Sequence, residues 1–368
     1  MMSKPSFDAT TTVSSEFGIF GIPLDFADCE LILLPVPWEA TTSYGPGASD
    51  GPAIIRNASE QIDLFDLDYG KVFERGIHML PIDEKILALN QSAKSCAQEA
   101  IELITNQSED QIRIQKLRDQ VNQASATVNQ WVYDEAKKII AAGKRVGLVG
   151  GDHSSPFGLI KLLSETMADD FGILHIDAHA DLRFQYQGFH HSHASIMRNV
   201  MSLPKPPKLV QIAIRDFCEE EYEFSHTNAR VTTHYDGDIK SGLFEGRSWK
   251  SMVEEFLSDL PQKVYISFDI DGLNPQFCPH TGTPVPGGLT TDQVFYIFRQ
   301  VVKSGRQIIA FDLNEVSTGG LTPAETEWDG NVGARVLYKL SCALLSSHPA
   351  SGANPTSPVG PIRPANGS

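Results

Sequence analysis

A chain of 368 residues, 41% of them hydrophobic and 21% charged, has the composition of a globular protein with ample apolar material for a core. Its formal net charge of -16 and pI near 5.1, with no basic stretch interleaved with aromatics, argue against nucleic acid or an anionic membrane as partner; they suit solubility or a small cationic substrate. Cys29, Cys96, Cys218, Cys278 and Cys342 are scattered, odd in number and without a Cys-x-x-Cys pair, so reduced thiols and no disulfide framework are predicted.

Residues 1–16 are polar and lack the charged-then-apolar order of a signal peptide, which predicts a flexible arm on a cytoplasmic protein. Residues 31–34 read as the first strand, and the run to Trp38 is too short and too proline-broken to span a bilayer. A long Gly/Pro-punctuated loop, 38–52, is of the kind that carries function. A helix is expected from Pro52 to Asn57 with Asp50 as its cap, and 62–67 alternates like a strand. Residues 83–142 form a helical insert, with Leu87, Ala88, Cys96, Ala100, Ile101 and Ile104 at helical spacing, a polar break at 106–110, and a second helix from Ile114 towards Ile140 that Gly143 ends. No chemistry is visible in it.

Three apolar runs then end in polar clusters. Residues 146–149 lead into Gly150-Gly151-Asp152-His153-Ser154, whose glycines permit a sharp turn that presents His153. Residues 171–176 lead into Asp177-Ala178-His179-Ala180-Asp181, where extended geometry puts Asp177, His179 and Asp181 on one face. Residues 264–268 lead into Asp269-Ile270-Asp271, with both carboxylates again on one side. His175, inside an apolar run, reads as a satisfied core histidine and is set aside. A lone Asp-x-Asp is more often a cap or loop than a ligand pair. The joint pattern differs, because carboxylates gathered this closely repel one another and are costly to desolvate unless cations neutralise them.

Further strands are expected at 209–214 and 308–311, the latter ending in Asp312-Leu313-Asn314-Glu315, and a helix at 249–257. Strands alternating with helices predict a single-domain α/β fold over 17–345, three layers (αβα) with a mostly parallel central sheet and ligands at the strands' carboxyl ends. The Ser/Pro/Gly/Asn-rich tail, 346–368, is predicted to be disordered.

Gly151-Asp152-His153-Ser154, Asp177-Ala178-His179-Ala180-Asp181, Ser192-His193, Ser267-Phe268-Asp269-Ile270-Asp271 and Glu315 together resemble the ureohydrolases, the arginase and agmatinase family, over roughly 31–345. The resemblance implies an arginase-like fold and two divalent ions sharing a bridging hydroxide. His153, Asp177, Asp181 and Asp269 would hold one ion and Asp177, His179, Asp269 and Asp271 the other, with Asp177 and Asp269 bridging. A metal lowers the pKa of bound water from 15.7 towards about 7. Four aspartates and a hydroxide leave the pair at about minus one, which favours a guanidinium cation. Oxygen-rich sites with one imidazole per ion suit manganese, and nickel equally. The resemblance also gives Asp181 the proton for the departing nitrogen, His193 a part in proton transfer, and Glu315 the guanidinium nitrogens.

The loop 182–189, Leu-Arg-Phe-Gln-Tyr-Gln-Gly-Phe, lacks the Asn and Ser pattern by which the family holds arginine, so arginine is disfavoured. Arg183, Tyr186 and Gly188 resemble one group of agmatinases. The Trp38 loop, the 83–142 insert, Asp312-Leu313-Asn314-Glu315 and residues 327–339 are similar to a longer agmatinase-like branch that includes nickel-dependent guanidine hydrolases. The expected reaction is hydrolysis of guanidine to urea and ammonia, with Trp328 or the aromatics of 184–189 filling the space an alkyl amine would take. Agmatine follows, and Arg183 leaves room for a carboxylate-bearing substrate such as guanidinobutyrate or formiminoglutamate. A one-zinc amidohydrolase of histone-deacetylase type would carry fewer aspartates, and a non-catalytic homologue would show degraded ligands. A homo-oligomer, trimer or hexamer, is implied.

Overall fold

The computed structural model describes residues 18–42, 44–322 and 325–349; the arm expected over 1–16 and the tail beyond Pro349 lie outside them. The first half runs β1 (Leu31–Val36), α1 (Gly51–Ala58), β2 (Ile77–Met79), α2 (Glu84–Thr105), α3 (Gln111–Ala141), β3 (Arg145–Gly150), α4 (Phe157–Thr166) and β4 (Gly172–Ile176). The second runs α5 (Ile196–Met201), β5 (Lys208–Ile214), α6 (Glu219–Thr227), β6 (Val231–Tyr235), α7 (Asp236–Phe244), α8 (Trp249–Ser258), β7 (Lys263–Asp269), α9 (Thr291–Lys303), β8 (Gln307–Asn314) and α10 (Glu327–Ser346).

The strands form one sheet in the order β2-β1-β3-β8-β7-β4-β5-β6, and every pair is parallel. A parallel sheet is covered on both faces, so its strands read as unbroken apolar runs rather than alternating ones. Leu31 and Leu33 point into a core shared with α1, α8, α9 and α10, while Ile32 and Leu34 point into one shared with α3, α4 and α5. The helices therefore form the outer two of three layers. Pro35 lies inside β1, yet β2 reaches only to Leu33, so its missing N–H leaves no partner unpaired on that side.

β3 and β4 are consecutive strands set apart in the sheet, and β8 and β7 fill the gap between them. That switch in direction opens a crevice at the carboxyl ends of the four central strands. Val149, Leu313, Phe268 and Ile176 form one rung across β3, β8, β7 and β4. The chain segments just beyond that rung emerge side by side.

Several local expectations are corrected. Residues 62–65 form no strand; Ile62 and Leu64 pack on the core while Phe65 and Leu67 face outward, but no neighbouring strand offers a ladder, so the alternation records one-sided burial only. Asp50 makes no side-chain cap on α1; Glu39 instead accepts the Gly47 and Ala48 N–H groups, both at 2.7 Å. The second insert helix starts at Gln111, not Ile114, because Asp110 accepts from Arg113 N. Residues 346–349 are packed, with the Ser347 hydroxyl accepting from Ile308 N and His348 Nε2 bonded to Ile308 O. Among the described residues no helix is long and apolar enough to cross a membrane.

Candidate metal centre

His153 follows β3, Asp177 to Asp181 follow β4, Asp269 ends β7 and Asp271 lies in the single 3-10 turn after it. The glycines before His153 have ordinary φ values and are needed for closeness instead: a Cβ on Gly151 would collide with the Trp38 carbonyl, which accepts from Asp152 N at 2.7 Å. Nor is 177–181 extended. Asp181 has φ +55°, so the segment curls and delivers its carboxylate to the same point as Asp177, while His179 goes to a second one.

At the first point His153 Nδ1 lies 2.9 Å from Asp177 Oδ2, 3.2 Å from Asp181 Oδ2 and 3.2 Å from Asp269 Oδ2. Its other nitrogen is 2.9 Å from Ser267 Oγ, whose hydroxyl donates to Asp312 Oδ1, so Nε2 carries a proton and Nδ1 is the atom turned to three carboxylates, where it takes either a second proton or a cation. At the second point His179 Nδ1 lies 3.1 Å from Asp271 Oδ2 and 3.5 Å from Asp177 Oδ1. Asp177 thus offers one oxygen to each point. Asp269 serves the first through Oδ2, and its Oδ1 accepts the Asp271 N–H at 2.9 Å.

The electrostatics fit cations at both points. Burial, then the neighbouring Asp177 charge, pushes the Asp181 carboxyl up to about 7; burial, then Asp271 and Asp177, pushes Asp269 well up. Burial works against charge on His153, yet the three carboxylates around it hold its pKa well above the usual value. Among the described residues, the ion-pair partners of Asp177, Asp181, Asp269 and Asp271 are histidines only. Aligned lone pairs and buried carboxylates of this kind call for bound protons or divalent ions, and oxygen donors with one imidazole per point suit manganese or nickel.

Sequence reasoning set His175 aside, and the structure puts it beside the centre. Thr233 Oγ1 donates to Gln211 Oε1 (2.9 Å), Gln211 Nε2 to His175 Nδ1 (2.9 Å), and His175 Nε2 to Asp177 Oδ2 (2.8 Å). These residues share one rung: Thr233, Gln211, His175, Ser267 and Asp312 are paired across β6, β5, β4, β7 and β8. The signal was a single polar residue inside the apolar runs of β4, β5 and β7, which gains meaning only once register is known. With both ring nitrogens occupied, His175 holds the Asp177 carboxylate in place.

Beside the second point lies a cavity of about 150 Å³, lined by His179, Asp181 and His193 within and by Arg183, Tyr186 and Phe217 further out. Burial, then His179 and His153, holds the His193 pKa down at about 4, so its ring is neutral at ordinary pH. Glu315, at φ +64°, accepts the His153 N–H through Oε1 at 2.9 Å and is not among the residues that line the cavity. Trp328 is not brought to this cavity: it is 54% exposed at the start of α10, its indole donating to Gln276 O. Tyr186 and Phe217 form the aromatic wall instead.

A sequence profile of the arginase family matches residues 29–340. The chain belongs to the arginase family. This family member is 30% identical over 301 residues to an N(1)-aminopropylagmatine ureohydrolase of Thermus thermophilus, covering 82% of this chain and 87% of the relative. It is 28% identical over 300 residues to an agmatinase of Pyrococcus horikoshii, covering 80% and 86%. Its fold is similar to that of proclavaminate amidino hydrolase from Streptomyces clavuligerus, at a TM-score of 0.67 and 20% identity over 92% of this chain and all of the other. It is an arginase-family ureohydrolase, an enzyme acting on guanidino C–N bonds.

Proposed function

We propose that this ureohydrolase acts on free guanidine: guanidinium and water give urea and ammonium. His153, Asp177, Asp181 and Asp269 would hold one divalent ion and Asp177, His179, Asp269 and Asp271 the other, nickel or manganese. The ions, when bound, supply water that is a competent nucleophile at neutral pH. Asp181, at the inner end of the cavity, holds a proton for the departing nitrogen. Neutral His193 accepts and returns protons beside the substrate. Glu315, outside the cavity lining, holds the His153 amide through Oε1 and leaves Oε2 as the acceptor that the family resemblance gives to a guanidinium nitrogen.

The choice of guanidine rests on the outer wall of the cavity. Arg183 lines it, as does the Glu221 carboxylate 3.6 Å away, whose oxygens already accept the amides of Leu182 and Cys218 at 3.0 and 2.9 Å. An alkylammonium tail meets a fixed cation there, and guanidine has no tail. Agmatine is the second reading: Asp216 also lines the cavity and can accept an ammonium, and relatives at 28–30% identity carry agmatinase-type names. A homo-oligomeric, cytoplasmic enzyme belongs to the same proposal, with trimer or hexamer to be read from its mass in solution.

The test is urea release from guanidine, agmatine, guanidinobutyrate and arginine by protein loaded with nickel and then with manganese. Guanidine should lead in kcat/KM by about tenfold or more, equivalent to about 1.4 kcal/mol on the barrier. Faster turnover of agmatine selects the second reading.

A further inference from the structure

The insert α2–α3, which carries no ligand, reaches the site through a hairpin tip. Tyr186 and Phe189 exchange backbone hydrogen bonds, Tyr186 N to Phe189 O at 3.2 Å and Phe189 N to Tyr186 O at 2.9 Å. Between them Gln187 and Gly188 have φ +53° and +86°, the positive pair that a tight two-residue turn of this hand requires. Both tip carbonyls are held by α3: Arg118 Nε donates to Gln187 O at 2.8 Å and Asn122 Nδ2 to Gly188 O at 3.3 Å. Asn122 Oδ1 accepts the His190 N–H at 2.9 Å. A Cβ on Gly188 would strike the Arg118 guanidinium.

Phe189 itself is fully buried, in a small core of its own with Ala97 and Ala100 of α2 and Leu117 and Val121 of α3. The two alanines leave the room that the ring fills. On the other side of the turn Tyr186 lines the cavity, its ring 6.0 Å from that of His193 and 5.2 Å from the Arg183 guanidinium. The anchors of Gln187, Gly188 and Phe189 outside the loop itself thus come from the insert, while Asn199 of α5 holds the His190 carbonyl at 2.7 Å, and the turn presents Tyr186, one of the cavity's two wall aromatics.

We propose that Arg118, Asn122 and the Phe189 socket are positioning residues that fix Tyr186, and that the insert thereby sets which guanidino compounds the cavity accepts. This rests on the cavity being the substrate site. Loss of the clamp frees the turn, widens the cavity and costs the small substrate more than the long one.

The test compares wild type with Arg118→Ala, Asn122→Ala and the double variant on guanidine, agmatine and guanidinobutyrate. In the double variant KM for guanidine should rise about tenfold with kcat changed less than about threefold, and the agmatine-to-guanidine ratio of kcat/KM should rise. Arg118→Lys, which keeps a donor for Gln187 O, should recover most of the loss. Tyr186→Ala should match the defect and add little to the double variant, since all act through one ring. Hydrogen exchange at the 186–190 amides, read on the same metal-loaded samples, should quicken in the double variant alone. Unchanged KM values despite faster exchange, or a Tyr186→Ala defect that adds in full, overturns the inference. Unchanged exchange overturns it as well. A wild type that releases no urea while the double variant still shows faster exchange sinks the assigned activity, not the clamp.

Discussion

Asp181 and Tyr186 line the same cavity, yet one is fixed by the sheet and the other by two helices outside it. The inner wall stands on strand ends in the middle of an eight-stranded sheet, above a rung of hydrogen-bonded polar side chains. The outer wall includes Tyr186, carried by a two-residue turn tied down at its tip. Chemistry that tolerates little misplacement sits on the first, and selectivity, which family members must vary, sits on the second. Damage to the inner wall should therefore read out in metal and kcat, and damage to the outer wall in KM.

The largest effect should come from Asp177→Asn, which removes the side chain common to both metal points. Metal content should fall below two ions per subunit, and urea release by about 10³-fold, the several kcal/mol that such ions supply. Full metal content with full activity would show that Asp177 is not the shared ligand. His193→Ala should cost about 10²-fold in kcat, as for loss of a proton-transfer group. Because its pKa is held down at about 4, protonation of His193 should not limit the rate between pH 6 and 8, and a wild-type rate step in that range that His193→Gln abolishes would contradict this.

His175→Ala sharpens the contrast from within the sheet. It touches neither cavity nor substrate, so affinity for the ions, measured against a competing chelator, should drop about 10- to 100-fold while kcat at saturating metal stays within about threefold. A rise in KM with unchanged metal affinity would place His175 on the wrong side of the comparison.

How much of this was legible follows the same divide. The ligand-bearing segments announced themselves because each follows an apolar run, and a parallel sheet puts such segments at one edge. The curl at Asp181 was not legible, since a positive φ on a non-glycine residue is imposed by its surroundings. Nor were the edge strands: β2 has three residues and β6, Val-Thr-Thr-His-Tyr, is half polar. The rung through His175 depends on register, which no single strand encodes. Phe189 reads as one more loop aromatic until α2 and α3 close around it.

The smallest expected effect has opposite signs at the loop and at the sheet. His191, on the loop, has a buried Nδ1 without a hydrogen-bond partner and packs on Phe157; burial, then His190 and Lys161, holds its pKa down at about 4. Unfolded, it titrates near 6.5. Between those values only the unfolded chain takes up the proton, so this contribution to stability is present above pH 6.5 and lost as pH falls towards 4. At the sheet Asp181, which lines the cavity, and Asp152 are pushed up to about 7 and Asp312 to about 6, burial first in each, against about 3.9 unfolded. There the folded protein binds the extra protons, so stability is present below pH 4 and lost as pH rises through 6 to 7. Denaturant midpoints of chelator-treated protein should accordingly fall from pH 5 to pH 7.5, and loading with nickel or manganese should reverse that slope by replacing the protons with ions. In the loaded protein His191→Gln should flatten what remains. Parallel profiles with and without metal would mean that the carboxylates keep their protons, and that no cation belongs between them.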